Sequence, residues 1–515
     1  MSNFKIICII LIVIYSLVLI RTAWLCDDTF FTLRTIDNFV NGYGLNYNPI
    51  ERVQAYTHPL WMLFLSIFYF FTREAYFTTI ILSITISIIA VCFLYAKRFS
   101  KNKLSFILSM FVLLFSKAYI DFSTSGLENP LSHLLLLIYI YLYISSNDIS
   151  SKTLYCSLAM AFLMFNRLDL ALIVAPSTAY LFYKFIKESK PTLIRIVTTL
   201  LIGYLPIILW IIFSVIYYGF PFPNTYYAKL HTGIKIQDYC FQGFLYIIDS
   251  IARDPITIFF ILSSLILMFI MRNIQNIMLS IGVMFYIGYI IYIGGDFMSG
   301  RHFTSVLLVS ITMISSIELS ANVRIIFIII AIVLGFGVDK PTILSDKNVC
   351  LRDGRRISTR DIVHLNGIGD ERLFYYEKLG LLHITRMKYA DIFEREQIVI
   401  NRREVRIIGG THAIDGFRAG PNVHIIERFG ITDPLLSRLP IETISEWKIG
   451  HFRRKIPDGY IRTISRRNNR INNPSIAEFY DKLTIITRDN IFDINRFITI
   501  LQMNLGLYDN LLSDY

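Results

Sequence analysis

The feature that most constrains this chain is a succession of apolar runs, separated by short polar loops, that fills its first two thirds. A helix needs about 20 apolar residues, within a range of roughly 17–25, to cross the hydrocarbon core of a bilayer. Runs near that length occupy 6–25, 75–96, 104–120, 131–146, 153–165, 169–187, 192–217, 256–272, 277–293, 303–319 and 322–338. They predict a polytopic α-helical membrane protein with about 11 transmembrane helices. A further run at 59–71 is too short to cross alone at roughly 1.5 Å per residue. It reads as part of a bent segment or as a helix lying in the interface. The first run looks like a secretory signal, but Arg21-Thr22-Ala23-Trp24 offers no small-residue cleavage site, so a retained helix is expected.

Charge sorts the chain into two parts. Residues 1–338 hold 37 of the 88 charged side chains and the remaining 177 residues hold 51. One part is made for lipid and the other for water, which excludes disorder, a disulfide scaffold and a simple soluble enzyme. The net charge of +12 forms no stripe suited to nucleic acid. Lys5, Lys97, Arg98, Lys101, Lys103, Lys184, Lys187, Lys190, Arg195, Arg272 and Arg324 instead sit at the ends of apolar runs, where positive charge marks the cytoplasmic side. Alternation then places 26–58, 121–130, 166–168, 218–255, 294–302 and everything after 338 on the outer side.

Two domains are therefore expected: 1–338 in the membrane and 339–515 as an extracytoplasmic α/β domain. In the latter, 404–408, 423–426 and 483–487 are β-rich, while 474–482 and 490–504 read as helices. Arg402-Arg403, Arg453-Arg454-Lys455 and Arg466-Arg467 read as solvated surface. The six cysteines (Cys8, Cys26, Cys92, Cys156, Cys240 and Cys350) share no spacing and read as mostly buried small apolar side chains. His231 and His302 are too isolated for zinc, and no phosphate-cradling Gly-rich loop of the Walker type is present. No metal or cofactor is expected.

Polar residues concentrate in the outer loops. Asp27 and Asp28 stand at the mouth of the first run, where paired carboxylates near a low-dielectric boundary are costly and mark a functional candidate. Their mutual repulsion pushes the two titrations apart, leaving one ionised as a base. The plainer alternative is a solvated helix end. Residues 29–40 follow as an amphipathic helix.

Five blocks then carry a resemblance: Asp27 to Trp61, Ser125-Gly126-Leu127-Glu128, Asn166-Arg167-Leu168-Asp169, Pro223 to Lys229, and Gly294 to Arg301. In order and content they resemble GT-C glycosyltransferases of the bacterial arabinofuranosyltransferase B type. Gly430 to Pro434 and Ile449 to Tyr460 are similar too. Asn166-Arg167-Leu168-Asp169 departs from the family pattern in lacking a proline, which puts its turn and the role of Asp169 in question.

The resemblance implies a GT-C-like bundle in a bacterial cytoplasmic membrane that moves a sugar from a polyprenyl-phosphate donor. The acceptor would be a hydroxyl of an envelope polysaccharide or glycolipid outside the cytoplasm, and arabinofuranose is the sugar it suggests. Inversion with an aspartate general base is expected, with Asp27 favoured and Asp28 orienting or sharing the role. Arg301, His302, Lys229 and Arg167 are candidates for the donor phosphate, because forked or point cations stabilise a departing phosphate. His58, Tyr56, Glu128, Asn224, Tyr226, Tyr227, Asp169 and Asp296 are candidates for sugar or acceptor contact. Each has a plainer alternative: an Arg301–Asp296 pair, a buried Arg167–Asp169 pair, a packing His58, a helix-capping Glu128, interfacial tyrosines. The competing functions are a transporter or flippase of lipid-linked glycans, and an assembly scaffold.

Overall fold

The computed structural model describes residues 3–95, 99, 103–145, 148–230, 232–338, 341–344, 363–364, 367–394, 404–408, 413–444 and 447–512. Lys97, Arg98, Lys101, His231, Cys350 and Arg402-Arg403 lie outside them. The chain forms two compact units. One comprises Met1–Cys26, Thr79–Ile207 and Ile236–Ile384; the other comprises Asp27–Thr78, Ile208–Lys235 and Thr385–Tyr515. The boundary expected at 338 rests on hydropathy, and the compact units divide the chain elsewhere.

Each of the eleven apolar runs contains helix among the described residues. Among the described residues, four helices are long and apolar enough to cross a membrane: Phe4–Thr22, Tyr76–Leu94, Leu168–Ser189 and Ile274–Tyr292. Counting two bent pairs as single spans raises the number to six. Lys103–Phe115, Asn129–Ile144, Phe303–Ser316 and Ala321–Gly337 are apolar but shorter, as is Pro59–Thr72 at 14 residues.

In the first unit the core runs through the helix Phe303–Ser316, buried on every side from Phe303 to Ser315. A helix apolar all round belongs in the middle of a bundle. Close packing in this unit depends on two glycines. A Cβ on Gly282 would stand 1.8 Å from the Ile173 carbonyl oxygen, and one on Gly243 would stand 2.4 Å from that of Ile291. Both obstacles are backbone, so neither can swing aside. Gly282→Ala should therefore destabilise the protein by about 1–3 kcal/mol, the usual cost of overpacking. A lower melting temperature of the detergent-solubilised variant would report it.

In the second unit, Glu404–Ile408 and Val423–Glu427 pair in parallel, Glu404 opposite Val423 and Ile408 opposite Glu427. Val423–Glu427 is buried along its length, as parallel strands covered on both faces are. Two expectations need correction. Residues 483–487 are not a strand but the end of the helix Pro474–Arg488. Ile476, Phe479, Tyr480, Leu483, Ile486 and Thr487 are its buried residues, a three-to-four spacing that outweighs the local β-richness. Cys92 is exposed and Cys240 half-buried, whereas Cys8, Cys26 and Cys156 are buried as expected.

Candidate functional site

In the first unit, three of the polar blocks, distant in sequence, meet in one network. Glu128 occupies the position before the helix Asn129–Ile144 but makes no side-chain cap bond. Its carboxylate instead accepts from Arg167 Nη1 at 2.9 Å and from Arg301 Nη2 at 3.0 and 3.3 Å. Arg167 grips Asp169 with both arms of its fork, each at 2.8 Å, and its Nη2 lies 2.8 Å from His302 Nδ1. Arg301 Nη1 stands 3.5 Å from Asp296, and His302 Nε2 stands 3.6 Å from the same carboxylate.

The missing proline does not cost the turn. Arg167 is extended at φ −162°, breaking the helix Ile149–Asn166, and Leu168–Leu170 forms a 3-10 turn that leads into Ala171–Ser189. The loop after Ile293 turns at Gly294, Gly295 and Gly300, all with positive φ. Such angles suit glycine and deliver Arg301 and His302 to the network.

Glu128, Arg167, Asp169, Asp296, Arg301 and His302 thus gather in a single cluster. Three carboxylates face two guanidiniums, so its charge is −1 with His302 neutral and 0 with the imidazolium. A phosphate here would meet directed donors and no surplus of positive potential. Tyr286 and Tyr246 complete the cluster without having been singled out in the sequence. Tyr286 donates to Asp169 at 3.0 Å, and the Tyr246 hydroxyl receives the His302 amide at 3.2 Å. Tyr286 lies inside an apolar run, where no sequence signal sets it apart.

The second unit contains the aspartate pair. Asp27 is buried, and its carboxylate accepts the backbone amides of Ala413 (3.0 Å) and Ile414 (3.2 Å), the first turn of the helix Ala413–Ala419. Burial, with repulsion from Asp28 and Asp415, pushes Asp27 up to about 8 against the pull of those amides. Asp28 is half-buried and occupies the N-cap position of the helix Thr29–Val40, with no side-chain cap bond. The helix dipole favours negative charge at that end. The helix is fastened by Arg34, whose guanidinium donates to the carbonyls of Tyr47 and Val423 at 2.8 Å each and to that of Gly416.

Other predicted residues of this unit are engaged in building it. His58 Nε2 lies 2.8 Å from the Thr32 hydroxyl, and Tyr56 bonds Tyr218 hydroxyl to hydroxyl at 2.8 Å. Asn224 donates to the carbonyls of Gly430 (2.8 Å), Ile431 (3.1 Å) and Asp433 (3.0 Å). Tyr227 stacks against the Arg438 guanidinium at 4.6 Å. Tyr226 and Lys229 are exposed.

Residues 4–226 match the model of the Alg9-like mannosyltransferase family. No curated protein matches the chain. Among solved structures, the crystal structure of ArnT from Cupriavidus metallidurans bound to undecaprenyl phosphate is similar over 85% of this chain and 90% of that chain, at 11% identity and a TM-score of 0.48. The matched family is a glycosyltransferase family, the class expected from the outer-loop blocks, and the match spans Asp27, Asp28, Glu128, Arg167 and Asp169. No comparison names arabinofuranosyltransferase B.

Proposed function

We propose that this chain is a membrane glycosyltransferase of the GT-C type. It transfers a sugar from a polyprenyl-phosphate donor to a hydroxyl of an envelope glycan or glycolipid on the outer face of a bacterial cytoplasmic membrane. Residues 1–338 are embedded in this reading and 339–515 stand outside the membrane. Arabinofuranose is the proposed sugar, on the strength of the outer-loop blocks alone.

The observation that carries the reading is the meeting of Glu128, the Arg167–Asp169 pair and the Asp296–Arg301–His302 loop in a chain whose first 226 residues match a glycosyltransferase family model. Direct displacement would invert the anomeric centre. One carboxylate takes the acceptor proton as the hydroxyl attacks, while Arg301, Arg167 and His302 donate to the departing phosphate. Both Asp27 oxygens already accept amides, which moves the proposed base from Asp27 to Asp28 and leaves Asp27 to hold the turn. Lys229 is the exposed cation proposed for the lipid head.

The test is reconstitution of the full chain in liposomes with a polyprenyl-phosphate pentose or hexose and an envelope glycan acceptor. Transfer should occur with wild-type protein and vanish in the Asp27→Asn/Asp28→Asn double variant. Equal transfer in both would remove the base from the reading.

A further inference from the structure

In the second unit, the helix Ile494–Asn504 reverses the pattern of the helix beside it. Its back is built into the fold, where Arg496, Thr499, Ile500 and Met503 are buried. At about 100° per residue, Ile494, Ile498, Leu501 and Leu505 fall in one stripe on the opposite side. All four are between 48% and 68% exposed, and the exposed Phe492 and Leu507 extend the stripe at its ends. Its flanks are the uncharged Asn495, Gln502 and Asn504. The neighbouring helix Pro474–Arg488 exposes Glu478 and Asp481 instead, as a helix facing water does.

A continuous exposed apolar stripe marks an interaction surface, and its mooring says with what. Arg496 donates to the carbonyls of Ile216 (2.7 Å) and Tyr217 (3.0 Å), and Asn504 to that of Gly219 (2.8 Å). Ile216 and Tyr217 end the helix Leu205–Tyr218, the second half of a bent pair that counts as one candidate span. Carbonyls at a helix end lack partners within the helix, and these two find theirs in Arg496. Gly219, at φ +86°, lets the contact close: a Cβ there would stand 2.1 Å from Ile486 Cγ2 and 3.3 Å from Ile500 Cγ1. On the span itself Leu209 and Ile212 are exposed, side chains that a bilayer covers. The positive charges of Lys184, Lys187, Lys190 and Arg195 put the far end of this span, at Tyr218, on the outer side. The stripe, about 17 Å long at 1.5 Å per residue, is therefore tied to the point where the span leaves the hydrocarbon.

We propose that Ile494–Asn504 is an interfacial helix, lying in the bilayer surface on the outer side with Ile494, Ile498, Leu501 and Leu505 among the acyl chains. Such helices sit about 5–10 Å into the boundary between headgroups and acyl chains. Arg496 is turned inward, so apolar burial rather than charge holds the stripe, and neutral lipid suffices. The proposal goes beyond the function proposed above, which leaves 339–515 outside the membrane. It rests on the membrane reading of 192–217 and not on sugar transfer.

The test uses the wild-type chain in phosphatidylcholine liposomes that carry a trace of phosphatidylcholine with a diazirine partway down one acyl chain. After irradiation and trypsin, mass spectrometry should find lipid on the peptide 497–515, at Ile498, Leu501 or Leu505, and on the span peptide 196–229. The peptide 471–482, which holds Glu478 and Asp481, should carry none. Leu501→Asp/Leu505→Asp alters two exposed positions, so it should melt with wild type. It should lose most of the label from 497–515 while 196–229 keeps its own. Label on 196–229 without label on 497–515 overturns the proposal, whether water, a second copy or another protein covers the stripe. So does equal label on 471–482, or label on 497–515 that a folded double variant retains. No label on 196–229 would defeat the membrane reading of that span, and the proposal with it.

Discussion

Asp28→Asn lowers the kcat of sugar transfer by about 10²–10⁴-fold, the usual worth of a positioned general base, whereas Asp27→Asn lowers it by far less. The two aspartates are neighbours in sequence, but their surroundings differ. Asp27 is buried against two amides and pushed up to about 8, with Asp28 among the causes. Near neutral pH it is therefore mostly protonated, whereas Asp28 stands half-buried at the start of the helix Thr29–Val40. Single-turnover transfer at saturating donor and acceptor measures the difference, and equal losses in the two variants would return the role to the pair as a unit.

The same asymmetry sets a pH dependence of stability. A carboxyl whose folded value is raised contributes stability that is complete below its unfolded value, near 4, and lost as pH rises through its folded value. For Asp27 that window ends at about 8, and buried Glu427 and Asp433 act in the same direction at about 7 each. The wild-type melting temperature should fall between about pH 4 and pH 8, most steeply below about pH 7. Asp27→Asn should flatten the upper part of that fall and leave the part due to Glu427 and Asp433.

Hydropathy made the helices legible because lipid imposes one requirement, apolar length, on every residue of a span. It could not count the spans. Lys103–Phe115 has 13 residues, about 20 Å of helix, and length alone does not say what such a helix does. The cluster was legible residue by residue, because charged side chains stand out in apolar surroundings: Glu128, Arg167, Asp169, Asp296, Arg301 and His302 were all singled out. The Arg167–Asp169 and Arg301–Asp296 pairs were legible as alternatives, but the links of Arg167 to His302 and of Arg301 to Glu128 were not, since they join loops more than 100 residues apart. The buried ion pairs around Asp370 were missed for a related reason. Lys117 with Asp121 and Asp249 with Arg253 are pairs four residues apart on helices, which alone read as ordinary helix-surface ion pairs. Only Asp370 and Arg372, brought from far along the chain, join them into one buried network. Residues 483–487 misled because a β-branched stretch was weighed without the helical spacing of the residues before it.

The second large effect concerns Arg167. Its guanidinium touches Asp169, Glu128 and His302 together. Arg167→Met takes the guanidinium fork from Asp169, whose side chain is only 11% exposed, and leaves the 1% exposed Glu128 to Arg301. Removing one partner of a buried pair typically costs about 3–5 kcal/mol, and the protein should melt well below wild type and transfer no sugar. That loss alone does not separate scaffolding from phosphate recognition. The double variant Arg167→Met/Asp169→Leu does. It removes the bidentate pair with its charge balance intact, so much of the stability should return, because a matched apolar replacement of a buried ion pair is often neutral. If Arg167 also donates to the departing phosphate, transfer stays lost in the refolded double variant, with kcat falling more than donor KM rises, as expected of an interaction made chiefly in the transition state. If activity returns with stability, Arg167 only holds the loops in place, and the phosphate falls to Arg301 and His302.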